Sequence, residues 1–157
     1  VEVLQALSEW PLAAALRQSR IAYPLVNAAH IMSIGLLLGA IVTLDLRLLG
    51  AFRSHRLADL GPPLWRMAGC GVLLAGATGF LLFSTRPLTY AANPAFLAKV
   101  FLVALGLLNV VALRWNRHWH EAIDGGPVHR SVRAAALASL LVWPGAVIAG
   151  RWIGFLD

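Results

Sequence analysis

Charge is scarce in this sequence. Only 13% of its 157 residues are Asp, Glu, Lys or Arg, and just seven are acidic, where an ordinary water-soluble domain carries roughly a quarter charged residues. With 59% of the chain hydrophobic, too little polar surface remains to cover a soluble core, which excludes a water-soluble globular fold. Cysteine is almost missing as well. A lone Cys70 excludes an internal disulfide and a CxxC metal site, and within its apolar segment it reads as a small packing residue. The region up to Arg20 holds Glu2, Glu9 and Pro11 and lacks the basic start and long apolar core of a signal peptide. The first long apolar stretch is therefore the expected insertion signal.

What the chain has instead is four long apolar runs. The expected fold is all-α: a four-helix transmembrane bundle, residues 1–157 forming a single integral membrane domain, with spans at about 23–50, 64–85, 93–114 and 133–155. Each is long enough for the roughly 20 residues that a spanning helix needs. The second is expected to open after Gly61, Pro62 and Pro63, and the third on Asn93 as cap with Pro94 at the first helical position, both ordinary helix-start signals. Ahead of the first span, LQALSEWPLAAALRQSR predicts a short amphipathic helix lying on the membrane surface, with Trp10 among the headgroups.

The net charge of +6 does not point to nucleic acid, because the arginines flank apolar runs and form no exposed basic stretch. They report topology. Arg47, Arg53, Arg56 and Arg66 surround the first loop and Arg114, Arg117, Arg130 and Arg133 the third, against Arg86 in the second. By the positive-inside rule the first and third loops face the cytoplasm and both termini the periplasm of a bacterial inner membrane. Trp65, Trp115 and Trp119 fall near the inner boundary and Trp152 near the outer one, where interfacial aromatics belong. Gly35 and Gly39, Ala75 and Gly79, and Gly150 and Gly154 form small-residue steps that allow close helix approach. Pro144 is expected to kink the fourth span.

Ionisable groups within hydrocarbon cost several kcal/mol and must face the bundle, pair or snorkel to the surface. Counting from the expected span ends, His30 lies seven residues inside Tyr23, Lys99 five inside Pro94, and Arg151 six from Asp157. At about 1.5 Å per residue these depths are ~10, ~8 and ~9 Å, one layer in the outer half of the bilayer. Asn27 and Tyr90 stand beside it, with Arg86 and Asn93 in the adjoining loop. Snorkelling of Lys99 and Arg151 is the plain structural alternative.

An imidazole in an apolar helical bundle is a usual axial ligand of haem, and two basic groups can neutralise its propionates. His30 is thus the expected iron ligand of a haem b site, with Lys99, Arg151, Asn27 and Tyr90 around the cofactor. His55, His118, His120 and His129 all belong to the opposite side. The second ligand is therefore a neutral Lys99 amine or absent; Met32 is too close in sequence to reach the other face. A copper site would need Met67 and Cys70, which belong to the inner half. His118 and His120 with Glu121 and Asp124 read as a solvated loop, since histidines two apart point away from each other on a helix. Asp45 and Arg47 are expected to pair with Arg66 or Arg114.

NAAHIMSIGLLLGAIVTLDLRLLG, TYAANPAFLAKVFLVALGLLN and LLVWPGAVIAGRWIGF together resemble an uncharacterised family of bacterial four-helix inner-membrane proteins. The first-span histidine and the lysine opening the third span are also distantly similar to those of the copper-resistance D proteins and the HemJ-type protoporphyrinogen oxidases. The HemJ-type likeness implies haem at His30 and Lys99, with Asn109 standing near the position of a further third-span histidine; the copper-resistance likeness implies copper movement. The expectation is a small haem protein in electron transfer between a periplasmic carrier and quinone. A cofactor-free accessory or scaffolding subunit of a larger membrane complex, and a copper or small-anion transporter, are the alternatives; enzymatic activity is not the expectation, and an enzyme of this kind would be an oxidoreductase.

Overall fold

The computed structural model describes residues 2–156, so Asp157, from which the depth of Arg151 was counted, lies outside the described residues. Those residues form helices and no strand: α1 (Glu2–Glu9), α2 (Pro11–Gln18), α3 (Ala22–Leu49), α4 (Leu57–Thr85), α5 (Pro87–Ala92), α6 (Pro94–Trp115), α7 (Arg117–Ile123) and α8 (Arg130–Trp152), closed by a 3₁₀ turn at Ile153–Phe155. Of these, α3, α4, α6 and α8 are long and apolar enough to cross a membrane. The all-α, four-span bundle expected from the sequence is the architecture observed.

Several boundaries differ from expectation, each for a local reason. The N-terminal amphipathic stretch is two helices, because Pro11 has no amide hydrogen and holds Trp10 extended (φ −55°, ψ 130°). Ala13 and Leu16 of α2 are buried, and Arg17 donates to the Thr85 carbonyl at 2.9 Å, so this segment also packs on the bundle. Helix α4 starts at Leu57 and carries Pro62 and Pro63 inside it. The carbonyls these prolines leave unbonded, at Ala58 and Asp59, sit in the first turn at the helix end, where water can satisfy them. Helix α8 begins at Arg130, since His129 caps it by accepting from the Ser131 amide, and it continues through Pro144. Helix α3 stops at Gly50, whose φ of +110° is a left-handed conformation suited to glycine.

Asn93 caps α6 as the sequence implied, accepting from the amides of Ala95 (2.9 Å) and Phe96 (3.2 Å). Its Nδ2 also donates to the Ile153 carbonyl at 3.2 Å, tying the start of α6 to the end of α8. Asn93→Ala removes both functions and should lower stability by about 1–2 kcal/mol, while Asn93→Asp, which keeps the acceptor, should recover much of the loss; thermal unfolding in detergent measures both.

Helix α3 packs along α4 and α8, and α8 along α6; α4 and α6 make no backbone approach. Side chains bridge them instead: Arg114 lies 4.2 Å over the Trp65 ring at one end, and Phe83 stacks on Phe96 (centroids 5.3 Å apart, 10°) at the other. Lipid tails are as apolar as leucine, so these helices associate through close packing rather than through the hydrophobic effect. Close fits between the spans are Gly71 against the Leu37 backbone and Gly106 against the Trp143 ring. Gly35 and Gly39, by contrast, face open space, so their small-residue step serves no helix contact among the described residues.

One end of the bundle is closed by Leu44, Leu48, Leu57, Trp119, Ala122 and Val132. Trp119 is buried there, with 3% of its surface exposed. It packs inside the bundle and does not face headgroups, because α7 folds back across the helix ends. Cys70 is exposed on α4, so it does not pack as supposed. Asp45 is buried with one carboxylate oxygen unpartnered among the described residues, and the expected pairing with Arg66 or Arg114 does not form. Arg114 is held on Trp65, and Arg47 turns away to donate to the His55 carbonyl at 2.9 Å.

Candidate functional site

Two of the candidate residues meet. His30, on α3, and Lys99, on α6, come within hydrogen-bond distance, Nε2 to Nζ, at 3.4 Å. The contact exists because the second turn of α6 lies at the same height as the third turn of α3, as the depth counted from Tyr23 and Pro94 required. Neither helix backbone packs on the other; the long lysine stem crosses the gap.

The other imidazole nitrogen fixes the ring. His30 Nδ1 lies 3.0 Å from Thr78 Oγ1 on α4. Thr78 directs its own hydroxyl hydrogen to the Leu74 carbonyl at 2.6 Å, a common bond for a helical threonine. Its oxygen is then left to accept, so a neutral His30 carries its proton on Nδ1 and presents the Nε2 lone pair toward Lys99. That is how proteins set up an imidazole as a metal ligand: one nitrogen donates to a neighbour while the other stays free to bind. It also serves a plain hydrogen bond from the lysine ammonium.

Two glycines make the room. A Cβ on Gly79 would stand 3.0 Å from His30 Cε1, and one on Gly150 of α8 would stand 3.2 Å from Lys99 Cδ. All four spans thus contribute: the imidazole from α3, its acceptor and clearance from α4, the amine from α6 and the floor under its stem from α8.

The remaining candidates stand at the same end of the bundle but outside this contact. Arg151 is exposed and its guanidinium lies 5.3 Å over the Phe155 ring. Asn27 is exposed on α3, one turn before His30. Tyr90, on α5, is half-buried in an aromatic group with Phe96 (5.6 Å) and Phe83 (6.3 Å). Asn109 donates to the Ala135 carbonyl at 3.0 Å, joining α6 to α8. Among the described residues, no three His, Cys, Asp or Glu side chains cluster in a way that could hold a metal ion; Met32, Met67 and Cys70 are all exposed.

At the far end the segment read as a solvated loop contains α7. His118 lies 2.8 Å from Glu121 and stacks on His129 with ring centroids 3.9 Å apart, whereas His120 turns to the Arg114 carbonyl at 3.0 Å. The two histidines of this pair do point apart. Hydrogen bonds from His118 and Arg117 hold the Glu121 carboxyl below its ordinary range.

Sequence reasoning missed Thr78 and named Gly79 only as part of a helix-packing step, not as the clearance beside His30. Thr78 stands seven residues before Thr85, about 10 Å deep by the helical rise, the same depth as His30; extending the count to uncharged polar residues would have found it.

Over residues 19–156 the chain belongs to a family of unknown function (DUF6644). No curated protein and no solved structure matches it.

Proposed function

We propose that this member of the family is a small b-type haem protein of the bacterial inner membrane, with both termini on the periplasmic side, and that it passes electrons between a periplasmic carrier and a membrane acceptor such as quinone. The observation that supports this most is the His30 imidazole, held through Nδ1 by Thr78 with its Nε2 lone pair toward Lys99. A donor of that kind in apolar surroundings suits haem iron. Haem bound there would supply one-electron exchange. The chain would supply the ligand, its orientation and the clearance left by Gly79 and Gly150. Lys99 would meet the iron as a neutral amine or a propionate as a cation, with Arg151, Asn27 and Tyr90 as the polar groups at the same end. The distant likeness to HemJ-type proteins in this histidine and lysine agrees with the reading.

The test is an absorption spectrum of detergent-purified protein after haem supplementation. A saturable Soret band at one haem per chain is expected; its absence removes the proposal. One observation favours a second reading, that of a cofactor-free accessory subunit. The Gly35 and Gly39 step is open to a helix from outside the chain. A stoichiometric partner in pigment-free preparations, displaced by Gly35→Leu, would establish that reading instead.

A further inference from the structure

At the end of the bundle opposite His30, two cavities of about 210 and 340 Å³ open side by side and share Arg47, Arg53 and Val128 in their walls. Arg56 completes the first and Arg133 the second. Four arginines therefore line one hollow, and no carboxylate among the described residues does. They come from the last turn of α3, the α3–α4 loop, the residue capping α4 and the first turn of α8, so the fold and not the local sequence assembles them. The positive-inside rule accounts for arginines at this end of the chain, but not for their convergence on a single concavity.

The cluster is also held in place. Arg47 Nε donates to the His55 carbonyl and Arg53 Nε to the Gly50 carbonyl, each at 2.9 Å. Gly50 has φ +110°, and a Cβ there would come within 2.9 Å of Arg53 Nη2; the guanidinium folds back over the turn because no side chain obstructs it. With Nε engaged on a neutral acceptor, the Nη groups keep their charge uncompensated. The two ion pairs among the described residues are Arg117–Glu121 and His118–Glu121, both on α7. Leu57 and Ala58, the first residues of the 29-residue helix α4, lie in the same wall. Arg56, the N-cap, makes no side-chain bond to that helix end, which leaves the positive end of the helix dipole directed at the hollow.

Four like charges gathered in walls that hold no carboxylate, with Asp59 of the first turn of α4 outside the lining, lack one component, an anion. Planar guanidinium forks pair with phosphate oxygens through two parallel hydrogen bonds, and basic pockets between membrane helices suit phospholipid headgroups. We propose that this hollow binds a phosphate group. The group comes either from the headgroup of an acidic phospholipid at the bilayer edge or from a free phosphate compound in water.

The full chain in neutral detergent would be titrated with phosphatidylglycerol, with phosphatidylcholine and, separately, with inorganic pyrophosphate, following the thermal unfolding midpoint. A saturable upward shift with phosphatidylglycerol but not phosphatidylcholine or pyrophosphate identifies the lipid source; a saturable shift with pyrophosphate identifies the soluble one. In either case R47Q/R53Q should raise the half-saturating concentration at least about tenfold, the effect of ~1.4 kcal/mol. R66Q/R130Q, which removes two exposed charges from the same end but outside the hollow, should leave it unchanged. R56Q/R133Q repeats the test without disturbing a carbonyl contact, should the first pair impair folding. No saturable response to either phosphate compound, or equal weakening in the lining and control variants, overturns the proposal.

Discussion

Gly71→Ala should destabilise the protein even though alanine is the better helix former. A Cβ at Gly71 would sit 2.7 Å from the Leu37 backbone nitrogen and 2.9 Å from its Cα, and neither atom can rotate aside as a side-chain tip would. To accept one methyl group, α4 must move away from α3 along the most extensive packing surface in the bundle. Overpacking ordinarily costs about 1–3 kcal/mol, against a gain of ~0.5–1 kcal/mol from replacing a helical glycine. The net effect belongs at the high end of the loss, because the obstruction is backbone. Gly35→Ala and Gly39→Ala meet nothing within 4 Å and should be neutral or slightly stabilising. Steric-trap or denaturant unfolding in bicelles would rank the three; a Gly71→Ala protein as stable as the other two would show that α3 and α4 are not held by this contact.

That contrast marks how far the sequence could be read. The four spans were legible because hydrocarbon forces backbone polar groups into helices and forces side chains to be apolar over a minimum length. Asn93 and Pro94 announced the start of α6 through chemistry confined to one turn. Small-residue steps were visible too, but not their partners. Gly35 and Gly39 have the spacing of a packing groove and face open space, while close contacts fall to Gly71, one turn before the Ala75 and Gly79 step, and to Gly106, which belongs to no step. Spacing shows that a groove exists; only the bundle's geometry decides which helix fills it. The burial of Trp119 was hidden for the same reason, since nothing local in RHWHEAI tells that the segment turns back over the helix ends.

Depth was the most informative one-dimensional quantity for the site. It brought His30 and Lys99 to one height, and in three dimensions they meet. For Arg151 depth was insufficient, because height says nothing of the angle around the helix axis; its guanidinium turns outward to Phe155. The arginine hollow was legible only as charge. Its four arginines lie within eighty-seven positions, from 47 to 133, and their convergence depends on α8 packing beside α3.

His30→Ala should abolish any Soret band that the haem-supplemented protein shows. The other histidines, His55, His118, His120 and His129, all stand at the opposite end of the bundle, so no imidazole can take over, and His118→Ala and His120→Ala should leave the band intact. Thr78→Val separates ligand from orientation: it keeps the imidazole and the side-chain shape but removes the oxygen to which Nδ1–H donates at 3.0 Å. Loss of such a partner typically weakens metal affinity 10–100-fold, so Thr78→Val should retain the band at saturating haem while its half-saturation rises by about that factor. Lys99→Met, of similar length and without charge, should also retain a band, displaced in wavelength or midpoint potential because the group beside Nε2 has changed. Unaltered far-ultraviolet circular dichroism in His30→Ala would tie the loss to the ligand and not to the fold. A band that survives His30→Ala, or one that vanishes with His118 or His120, would move the cofactor away from this contact and leave the His30–Thr78–Lys99 chain as a structural tie among α3, α4 and α6.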